Sequence, residues 1–370
     1  MGQWQGALED LAVKKSFWKG RRVFLTGHTG FKGAWTAAWL SHLGAEVTGY
    51  AHEPETEPNL WTLLGLEGVE SVIGDLNDRP RLDQALQRTR PQVILHMAAQ
   101  ALVRRSYRNP VETFATNVMG TVNLLDAARA CPDLRAIVVA TSDKAYENLE
   151  QVWGYRETDP MGGRDPYSAS KGACEIATAS MAKSFYAPHA AGGHPARVAT
   201  VRAGNVIGGG DWSEDRLVPD IVRGCLGAQG GVTLRAPASI RPWQHVLEPI
   251  RGYMMVAQRL TAGDDSVASG WNFGPERTDE RAVIEVANAV VAALGKGRVM
   301  IEEPKAAMHE AKLLRLDCAR ARTELGWIPA LGFDECIRFT ADWYAGWAAG
   351  QPAQDLCRNQ IAEYESEVFK

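Results

Sequence analysis

The strongest constraint on the fold of this chain is an alternation of short β-branched segments with helical patterns between residues 21 and 204. The helical patterns place apolar residues on one face, as with Trp35, Ala38, Trp39 and His42 at i, i+3, i+4 and i+7. Strands that alternate with helices predict a parallel, doubly wound sheet with helices on both faces. Six segments predict its strands: RRVFLTG, AEVTGYA, ESVIGDL, QVILHMAA, AIVVATSD and RVATVRAG.

The pattern changes after Gly204, where glycine and proline become frequent and predict long loops. We therefore expect an α/β protein with a Rossmann-type domain and a smaller C-terminal α+β lobe. The predicted division is an N-terminal extension at 1–20, the Rossmann-type domain at 21–205 with 241–274 returning to it, and the smaller lobe at 206–240 and 275–370.

The composition favours a small molecule as the partner. The 370 residues include 40 Lys and Arg against 44 Asp and Glu without a long basic run, so neither nucleic acid nor a membrane surface is expected to bind. The six cysteines form no C-x-x-C pair, which favours reduced, buried thiols and no metal site. Because the sequence shows no apolar signal-like or membrane-spanning segment, we expect a cytoplasmic protein.

The turn TGHTGFKG joins the first predicted strand to a helix and carries Gly27, Gly30 and Gly33 at three-residue spacing, with Phe31 between the last two. Glycines there allow a tight turn and close approach of the backbone to the pyrophosphate of a dinucleotide, which a helix N-terminus attracts. Glycines that serve packing alone are the alternative. His28 and Lys32 add two potential cations beside the pyrophosphate, unless Lys32 lies along the helix in solvent.

Two further strand ends fit a dinucleotide. Asp75 and Leu76 follow the third strand, where they would face an adenine, and Ala98 and Ala99 are small enough for the fourth strand to lie against the cofactor. The acidic residue expected at the adenosine ribose is less clear, because Glu53 comes late after the second strand. The choice between NAD and NADP stays open, although the absence of an arginine at this strand end favours NAD.

The segment YSASK places Tyr167 and Lys171 one helical turn apart, where the ammonium would lower the pKa of the phenol for proton exchange with a sugar hydroxyl. Ser142, at the end of the fifth strand, could hydrogen-bond the same oxygen. Hydride transfer needs no more than these residues. The adjacent Asp143 and Lys144 are either an acid and base pair or a salt bridge within a turn.

Seven segments together resemble the extended short-chain dehydrogenase/reductases, and among them the nucleotide-sugar 4,6-dehydratases that act on CDP-glucose. The resemblance extends from about Phe17 to Gly274. Its segments are GHTGFKG, HMAAQALVRRSYRNP, TNVMGT, TSDKAYEN, DPYSASK, RAGNVIGGGDW and RPWQHVLEP.

This resemblance implies a lyase that uses bound NAD. Tyr167, aided by Ser142 and Lys171, would take the C4 hydroxyl proton of CDP-glucose while hydride passes to NAD. Lys144 would remove the C5 proton and Asp143 would protonate the departing C6 hydroxyl. Return of the hydride to C6 would give CDP-4-keto-6-deoxyglucose and water.

The resemblance also implies binding roles and a homo-oligomer. Asn117 and the HMAA segment, residues 96–99, would lie at the nicotinamide, and Asp75 and Leu76 at the adenine. Relatives form at least a homodimer through helices that correspond to residues 110–130 and 167–185. The residues implied in binding the nucleotide sugar are Gln100, Asn205, Arg216, Arg241 as the diphosphate clamp, and His245.

Two other functions remain open at this point. A 4-epimerase, or a 4,6-dehydratase for another nucleotide sugar, would share the fold, and an epimerase would need Ser142, Tyr167 and Lys171 without the acid and base pair. A protein that only senses NAD would need none of these side chains. The Asp143–Lys144 pair argues against the epimerase, and the complete Ser/Tyr/Lys set argues against the sensor.

Overall fold

The structure of the protein is a computed structural model, which describes residues 13–227, 229–234, 236–301 and 313–368. Most of the predicted N-terminal extension, residues 1–12, therefore lies outside the described residues. The strands are β1 (Arg22–Thr26), β2 (Glu46–Ala51), β3 (Glu70–Ile73), β4 (Val93–His96), β5 (Ala136–Ala140), β6 (Tyr186–Ala187), β7 (His194–Ala203), β8 (Asn205–Ile207), β9 (Val232–Leu234), β10 (Ile240–Arg241), β11 (Trp243–His245), β12 (Gly270–Phe273), β13 (Arg281–Ala282) and β14 (Val299–Ile301).

The helices connect these strands and cover both faces of the central sheet. They are α1 (Lys15–Trp18), α2 (Phe31–His42), α3 (Leu60–Leu64), α4 (Arg79–Thr89), α5 (Val103–Arg108), α6 (Pro110–Phe114), α7 (Gly120–Ala128), α8 (Pro166–Phe185), α9 (Leu217–Leu226), α10 (Leu247–Thr261), α11 (Val283–Leu294), α12 (Ala319–Glu324), α13 (Phe333–Ala348) and α14 (Ala353–Val368).

The central sheet is parallel, with strand order β12-β7-β5-β4-β1-β2-β3 and the short β6 paired to β7. All six predicted strands are in it, which confirms the Rossmann-type, doubly wound fold. The direction of winding reverses at β1, where Thr26 lies opposite Tyr50 of β2 and His96 of β4. Ligands of such sheets bind beyond the carboxyl ends of the strands at this reversal.

The region after Gly204 contributes smaller elements. It forms three two-stranded pairs, β8 with β11, β10 with β13 and β9 with β14. Within it, β12 joins the central sheet beside β7, with Phe273 opposite Ala203. The division into lobes remains a prediction.

The predicted helix at 110–130 is divided in the structure. A π-helical segment, Ala115–Met119, separates α6 from α7. Asn117 lies in this segment and its side-chain amide donates to the carbonyl of Gln100 at 3.0 Å and to Ser170 Oγ at 2.8 Å. Insertions of this kind are frequent at functional sites because they redirect one side chain.

The C-terminal helix α14 connects the two predicted lobes. The Trp39 indole of α2 donates to Glu365 at 2.8 Å, and its ring meets the Tyr364 ring edge to face at a centroid distance of 5.6 Å. On the side of the smaller lobe, the Trp343 indole donates to Cys357 Sγ at 3.3 Å. Residues 353–368 therefore pack on helix α2 of the predicted Rossmann-type domain as well as on the smaller lobe, to which the sequence assigns them.

All six cysteines are buried and free, as the sequence predicted. Across the described ranges, no helix combines the length and the hydropathy that crossing a bilayer requires. The same residues contain no group of three His, Cys, Asp or Glu side chains arranged to hold a metal ion.

Candidate active site

A cleft of about 2380 Å³ lies at the carboxyl end of the central sheet. Its walls come from the glycine turn before α2, the ends of β3, β4 and β5, the start of α8, and the loops around α9. We call it the active-site cleft. It brings to one cavity most of the site residues that the sequence predicted, namely Gly27, Gly30, Phe31, Lys32, Gly33, Asp75, Leu76, Ala98, Ala99, Gln100, Ser142, Asp143, Lys144, Tyr167, Lys171, Asn205, Arg216 and Arg241.

The glycine turn is shaped by close backbone packing. Gly27 has a φ of +77°, and a Cβ there would lie 2.7 Å from the amide nitrogen of Ala98. A Cβ at Gly33 would overlap the carbonyl oxygen of Gly27. Gly30, which precedes the first turn of α2, has open space instead, since its Cβ would meet only the Gly27 oxygen at 3.5 Å. The turn thus leaves the N-terminus of α2 open to the cleft.

His28 does not contribute a cation to the cleft. Its ring is fully buried behind β2, where a Cβ at Gly49 would overlap it, and its Nε2 atom is 2.7 Å from Ser71 Oγ. The ring also meets Trp61 edge to face at a centroid distance of 4.6 Å. Burial lowers the pKa of His28 to about 4, so the ring is neutral at pH 7. The prediction of a His28 cation beside the pyrophosphate is therefore wrong.

Lys32 does not lie along the helix in solvent. Its Nζ atom is 3.4 Å from the hydroxyl of Tyr253 on α10, and its side chain lines the cleft. Burial, together with the charges of Arg216 and Lys171, lowers the pKa of Lys32 to about 7, while the charge of Asp143 acts in the opposite direction. The charges that act on Lys32 thus include those of the predicted catalytic residues.

Ser142, Asp143 and Lys144 follow β5 and begin a short 3-10 turn, Asp143–Ala145. Ser142 Oγ donates to Asp143 Oδ1 at 3.0 Å and accepts the backbone N–H of Lys144 at 3.2 Å. Lys144 Nζ lies 3.6 Å from the same carboxylate oxygen. The Asp143 side chain is only 1% exposed and that of Lys144 is 31% exposed. Among the described residues, Asp143 Oδ2 has no hydrogen-bond partner.

Tyr167 and Lys171 lie on the first two turns of α8, which Asp165 caps by accepting from the Ser168 N–H. Burial raises the pKa of Tyr167 to about 12, although its hydrogen bond with Ser142 acts in the opposite direction. The expected lowering of the phenol pKa is therefore not observed. Lys171 Nζ is directed to the carbonyl of Ala140 at 3.3 Å, and burial lowers its own pKa.

A buried ion pair supports this part of α8. Glu175, one turn after Lys171, accepts from Arg202 of β7 at 2.7 and 2.8 Å, and both side chains are 5% exposed. Glu175 also accepts from the Thr141 hydroxyl, just before Ser142. Burial raises the pKa of Glu175, but the hydrogen bonds and charge of Arg202 outweigh it, so the pKa is lowered overall. The pair ties α8, β5 and β7 together beneath the cleft.

Asn117 was expected at the nicotinamide but is 1% exposed and does not line the cleft. Its Oδ1 atom accepts the Gln100 N–H at 2.9 Å, so it holds the segment after β4 in place. The Gln100 side chain is engaged locally as well, since its amide donates to Thr113 Oγ1 at 2.9 Å.

At the other end of the cleft, the Tyr50 hydroxyl donates to the carbonyl of Asp75 at 2.8 Å, and Glu53 lines the wall.

The predicted nucleotide-sugar residues are divided by the structure. Asn205, Arg216 and Arg241 line the cleft, and Arg216 is 3.1 Å from the Asp211 carboxylate. His245 does not reach it, because its fully buried ring packs edge to face against Trp35 and Phe339. Burial lowers the pKa of His245 to about 3. The binding role predicted for His245 is therefore wrong, and its place is in the core.

Sequence analysis missed residues that approach the site from distant segments. Tyr253 lies on α10, where burial and, to a smaller extent, the charges of Tyr167 and Asp143 raise its pKa. Its segment carries no local signal, because it looks like any apolar helix. Arg104 also lines the cleft, 3.4 Å from Asp215. The repeated arginines of VRRSYR were a usable signal for it.

Comparisons with known proteins give the family and the fold of this chain. The family model described as GDP-mannose 4,6 dehydratase matches residues 24–340. A CDP-glucose 4,6-dehydratase from Salmonella typhimurium is 45% identical over 97% of this chain and 100% of its own length. A UDP-glucose 4-epimerase from Thermus thermophilus, solved as a complex with NAD, is 27% identical, with a TM-score of 0.72 over 88% of this chain and 99% of that one. An epimerase from Methanothermobacter thermautotrophicus, 21% identical, has a TM-score of 0.79 over 95% of this chain and 97% of that one.

Proposed function

The chain belongs to the family described as GDP-mannose 4,6 dehydratase, and we propose that it is an NAD-dependent lyase that converts CDP-glucose to CDP-4-keto-6-deoxyglucose and water. The observation that carries this proposal is the pair of Asp143 and Lys144 beside Ser142 in the cleft. Oxidation and reduction at C4 need neither residue, whereas elimination of water needs a base at C5 and an acid at C6. The choice of CDP over other nucleotides rests on the 45% identical relative.

The cleft fits a dinucleotide. The tight turn at Gly27 and Gly33, with open space at Gly30, would let the pyrophosphate approach the N-terminus of α2. Asp75 and Leu76 would hold the adenine end, and Lys171 the ribose next to the nicotinamide. Glu53 supports NAD over NADP, because a carboxylate in this wall would repel a 2′-phosphate. When bound, NAD supplies the acceptor for the C4 hydride and returns that hydride to C6.

Tyr167 and Ser142 would receive the proton of the C4 hydroxyl. A phenol with a pKa of about 12 is protonated at pH 7, so we assign Tyr167 a proton transfer that accompanies hydride loss rather than a preformed phenolate. The path proposed for this proton runs from Tyr167 through the Ser142 hydroxyl, which donates to Asp143 at 3.0 Å. Asp143 would end the step as a carboxylic acid.

Lys144 and Asp143 would then remove water across C5 and C6. The C4 ketone makes the C5 hydrogen acidic, and the neutral Lys144 amine would take it as a proton. Asp143 would protonate the C6 hydroxyl, which leaves as water. After the hydride reaches C6, Lys144 would return a proton to C5. The product has lost one water and keeps the original C4 hydrogen at C6.

Two positively charged side chains would bind the diphosphate of the nucleotide sugar. Arg241 and Arg216 line the cleft from β10 and from the start of α9, and a guanidinium suits the oxygens of a diphosphate. Asn205 and Gln100 would lie beside the sugar, and the backbone carbonyl of Gln100 is already held by Asn117.

The experiment that tests the function is incubation of the purified protein with CDP-, UDP- or dTDP-glucose in D₂O. We expect a 4-keto-6-deoxy product from CDP-glucose alone, with one deuterium at C5, and transfer of label from C4-deuterated substrate to C6. Turnover of only UDP- or dTDP-glucose would contradict the proposed substrate. CDP-galactose formed without loss of water would indicate the epimerase, and binding without turnover would indicate the sensor.

We also propose a homodimer. Exposed apolar side chains form a surface on α6, the π-helical segment and α8: Val111 (81% exposed), Phe114 (38%), Met119 (51%) and Ile176 (63%). Several exposed apolar side chains on neighbouring helices are typical of a protein interface. A cytoplasmic location is proposed with it, since buried free thiols suit a reducing compartment.

A further inference from the structure

The short segment that carries the acid and base pair is anchored on both sides. We call residues 142–145 the catalytic turn. Directly before it, the Thr141 hydroxyl donates to the Glu175 carboxylate. Directly after it, Tyr146 is only 1% exposed, and its hydroxyl is 2.6 Å from Arg202 Nη1. The buried ion pair of Arg202 and Glu175 therefore contacts both ends of the catalytic turn.

The hydrogen bonds of the Tyr146 hydroxyl have a fixed direction. A guanidinium can only donate, so the Tyr146 oxygen accepts from Arg202. The amide nitrogen of Asn272 donates to the carbonyls of Tyr155 and Asp317 at 2.9 and 3.1 Å. Its Oδ1 atom is thus left to accept the Tyr146 proton at 2.8 Å. Because Arg202 lies on β7 and Asn272 on β12, the hydroxyl connects the catalytic turn to two strands of the central sheet.

The backbone around Tyr146 joins the catalytic turn to a loop instead. The Gly162 N–H donates to the Ala145 carbonyl, and the Glu147 N–H donates to the Pro160 carbonyl, both at 2.9 Å. These partners lie in the chain that leads from the turn to α8. The Tyr146 side chain adds the connection from this end of the turn to the sheet.

The catalytic groups differ in how directly they depend on this connection. Tyr167 and Lys171 lie on α8, a separate element. Lys144 and Asp143 lie within the turn, two and three residues before Tyr146. We propose that the Tyr146 hydroxyl is a positioning group for elimination, a role that rests on the proposed function: it holds Asp143 and Lys144 at C6 and C5 of the sugar without acting on oxidation at C4.

Tyr146→Phe tests this role because it removes only the hydroxyl. The ring keeps its stacking on Tyr155, at a centroid distance of 5.3 Å, and its place 5.0 Å below the Arg202 guanidinium. A single turnover of CDP-glucose, followed by the absorbance of bound NADH, separates the two steps. The rise of NADH reports oxidation at C4, and its decay follows elimination and return of the hydride.

In Tyr146→Phe the rise of NADH should keep its wild-type rate, and its decay should slow about 10–100-fold, because a small displacement of a reacting group is enough for such a loss. A decay at the wild-type rate, or a rise slowed as much as the decay, would overturn the inference.

Tyr186→Phe is the matched control. Tyr186 of β6 is fully buried and its hydroxyl donates to the Leu125 carbonyl, so this variant also loses one buried hydroxyl. Urea unfolding should show a comparable loss of stability in the two variants, since each loses buried hydrogen bonding. Tyr186→Phe should keep both wild-type rates. If it slowed the decay as Tyr146→Phe does, the effect would be one of stability and the positioning role would be refuted.

Thr141 supplies a second test at the other end of the catalytic turn, which holds even if Tyr146→Phe does not fold. Its bond to Glu175 is next to Ser142, which serves the C4 step, so Thr141→Val should slow both the rise and the decay of NADH. Thr141→Ser keeps a hydroxyl and should restore both rates. Wild-type rates in Thr141→Val would show that the ion pair does not position the turn. A wild-type protein that formed no NADH with CDP-glucose would instead refute the proposed function.

Discussion

Replacing each of two glycines in the turn by alanine separates a cofactor effect from a folding effect. Gly33→Ala would force a methyl group against the Gly27 carbonyl oxygen and to 2.8 Å from His28 Cα, both of which are backbone atoms that cannot move independently. Overpacking costs about 1–3 kcal/mol, and an overlap with fixed backbone atoms falls in the upper part of this range, about 2–3 kcal/mol, against about 1 kcal/mol of helix propensity gained by alanine. We therefore expect a net loss of about 1–2 kcal/mol in the free energy of unfolding, together with weak NAD binding.

Gly30→Ala meets a different environment. Its methyl group would have only the Gly27 oxygen at 3.5 Å, an ordinary contact, and its φ of −81° suits alanine. The loss of stability should stay within about 1 kcal/mol, since alanine is a poorer residue than glycine before a helix. The same methyl group would stand where the pyrophosphate approaches α2, so we expect NAD affinity to fall about tenfold or more.

Urea unfolding and NAD titration of both variants give the two quantities. The expected result is a stable Gly30→Ala protein with weak binding and a less stable Gly33→Ala protein. If Gly30→Ala bound NAD with wild-type affinity, the turn would not be the pyrophosphate site. If Gly33→Ala were as stable as the wild type, the packing argument for the turn would be incorrect.

Three other expectations follow from the same structure. Lys144→Met should lower product formation by about 10²–10⁴-fold and abolish deuterium uptake at C5, because it removes the base, and wild-type turnover would exclude this role. Glu175→Gln should lower the free energy of unfolding at pH 7 by about 3 kcal/mol, because Arg202 is left buried without its charge partner. Since the folded-state pKa of Glu175 is lowered, the difference between variant and wild type should shrink as pH falls below about 4. Urea unfolding at several pH values measures this difference, and one that stayed constant would contradict the argument. Val111→Glu should convert the dimer to a monomer, as measured by light scattering. Val152→Glu is the control and should leave the dimer intact, because Val152 is 67% exposed but lies outside the proposed interface. A wild-type monomer at micromolar concentration would contradict the dimer.

Local periodicity was enough to predict six of the eight strands that the structure describes in the central sheet. Each predicted strand of the Rossmann-type domain is a short apolar segment followed by glycine or polar residues. The helices between the strands imply that the strands run parallel. The same logic brought Ser142 and Tyr167 together, because the first ends a central strand and the second begins the helix after it. Neither inference required knowledge of distant contacts.

Three of the errors concern side chains whose direction is set by distant residues. His28 points behind β2 because Gly49, more than twenty residues later, leaves room for its ring. His245 turns into the core because Trp35 and Phe339 surround it there. The Asn117 side chain lies outside the cleft because its amide donates to the backbone carbonyl of Gln100. No pattern within one segment contains this information.

The proton balance of the site distinguishes a dehydratase from an epimerase that has the same Ser/Tyr/Lys set. An epimerase returns the proton that it takes from the C4 hydroxyl to the same oxygen, so that proton has no need to leave Tyr167. A dehydratase keeps the C4 ketone and must deliver a proton to the C6 hydroxyl. In the proposed path the proton released at C4 passes from Tyr167 through Ser142, whose hydroxyl donates to Asp143 at 3.0 Å, and supplies the one required at C6. A buried carboxylate whose second oxygen has no partner among the described residues suits a group that gains and gives up a proton in each turnover, and a turn salt bridge would not need that burial.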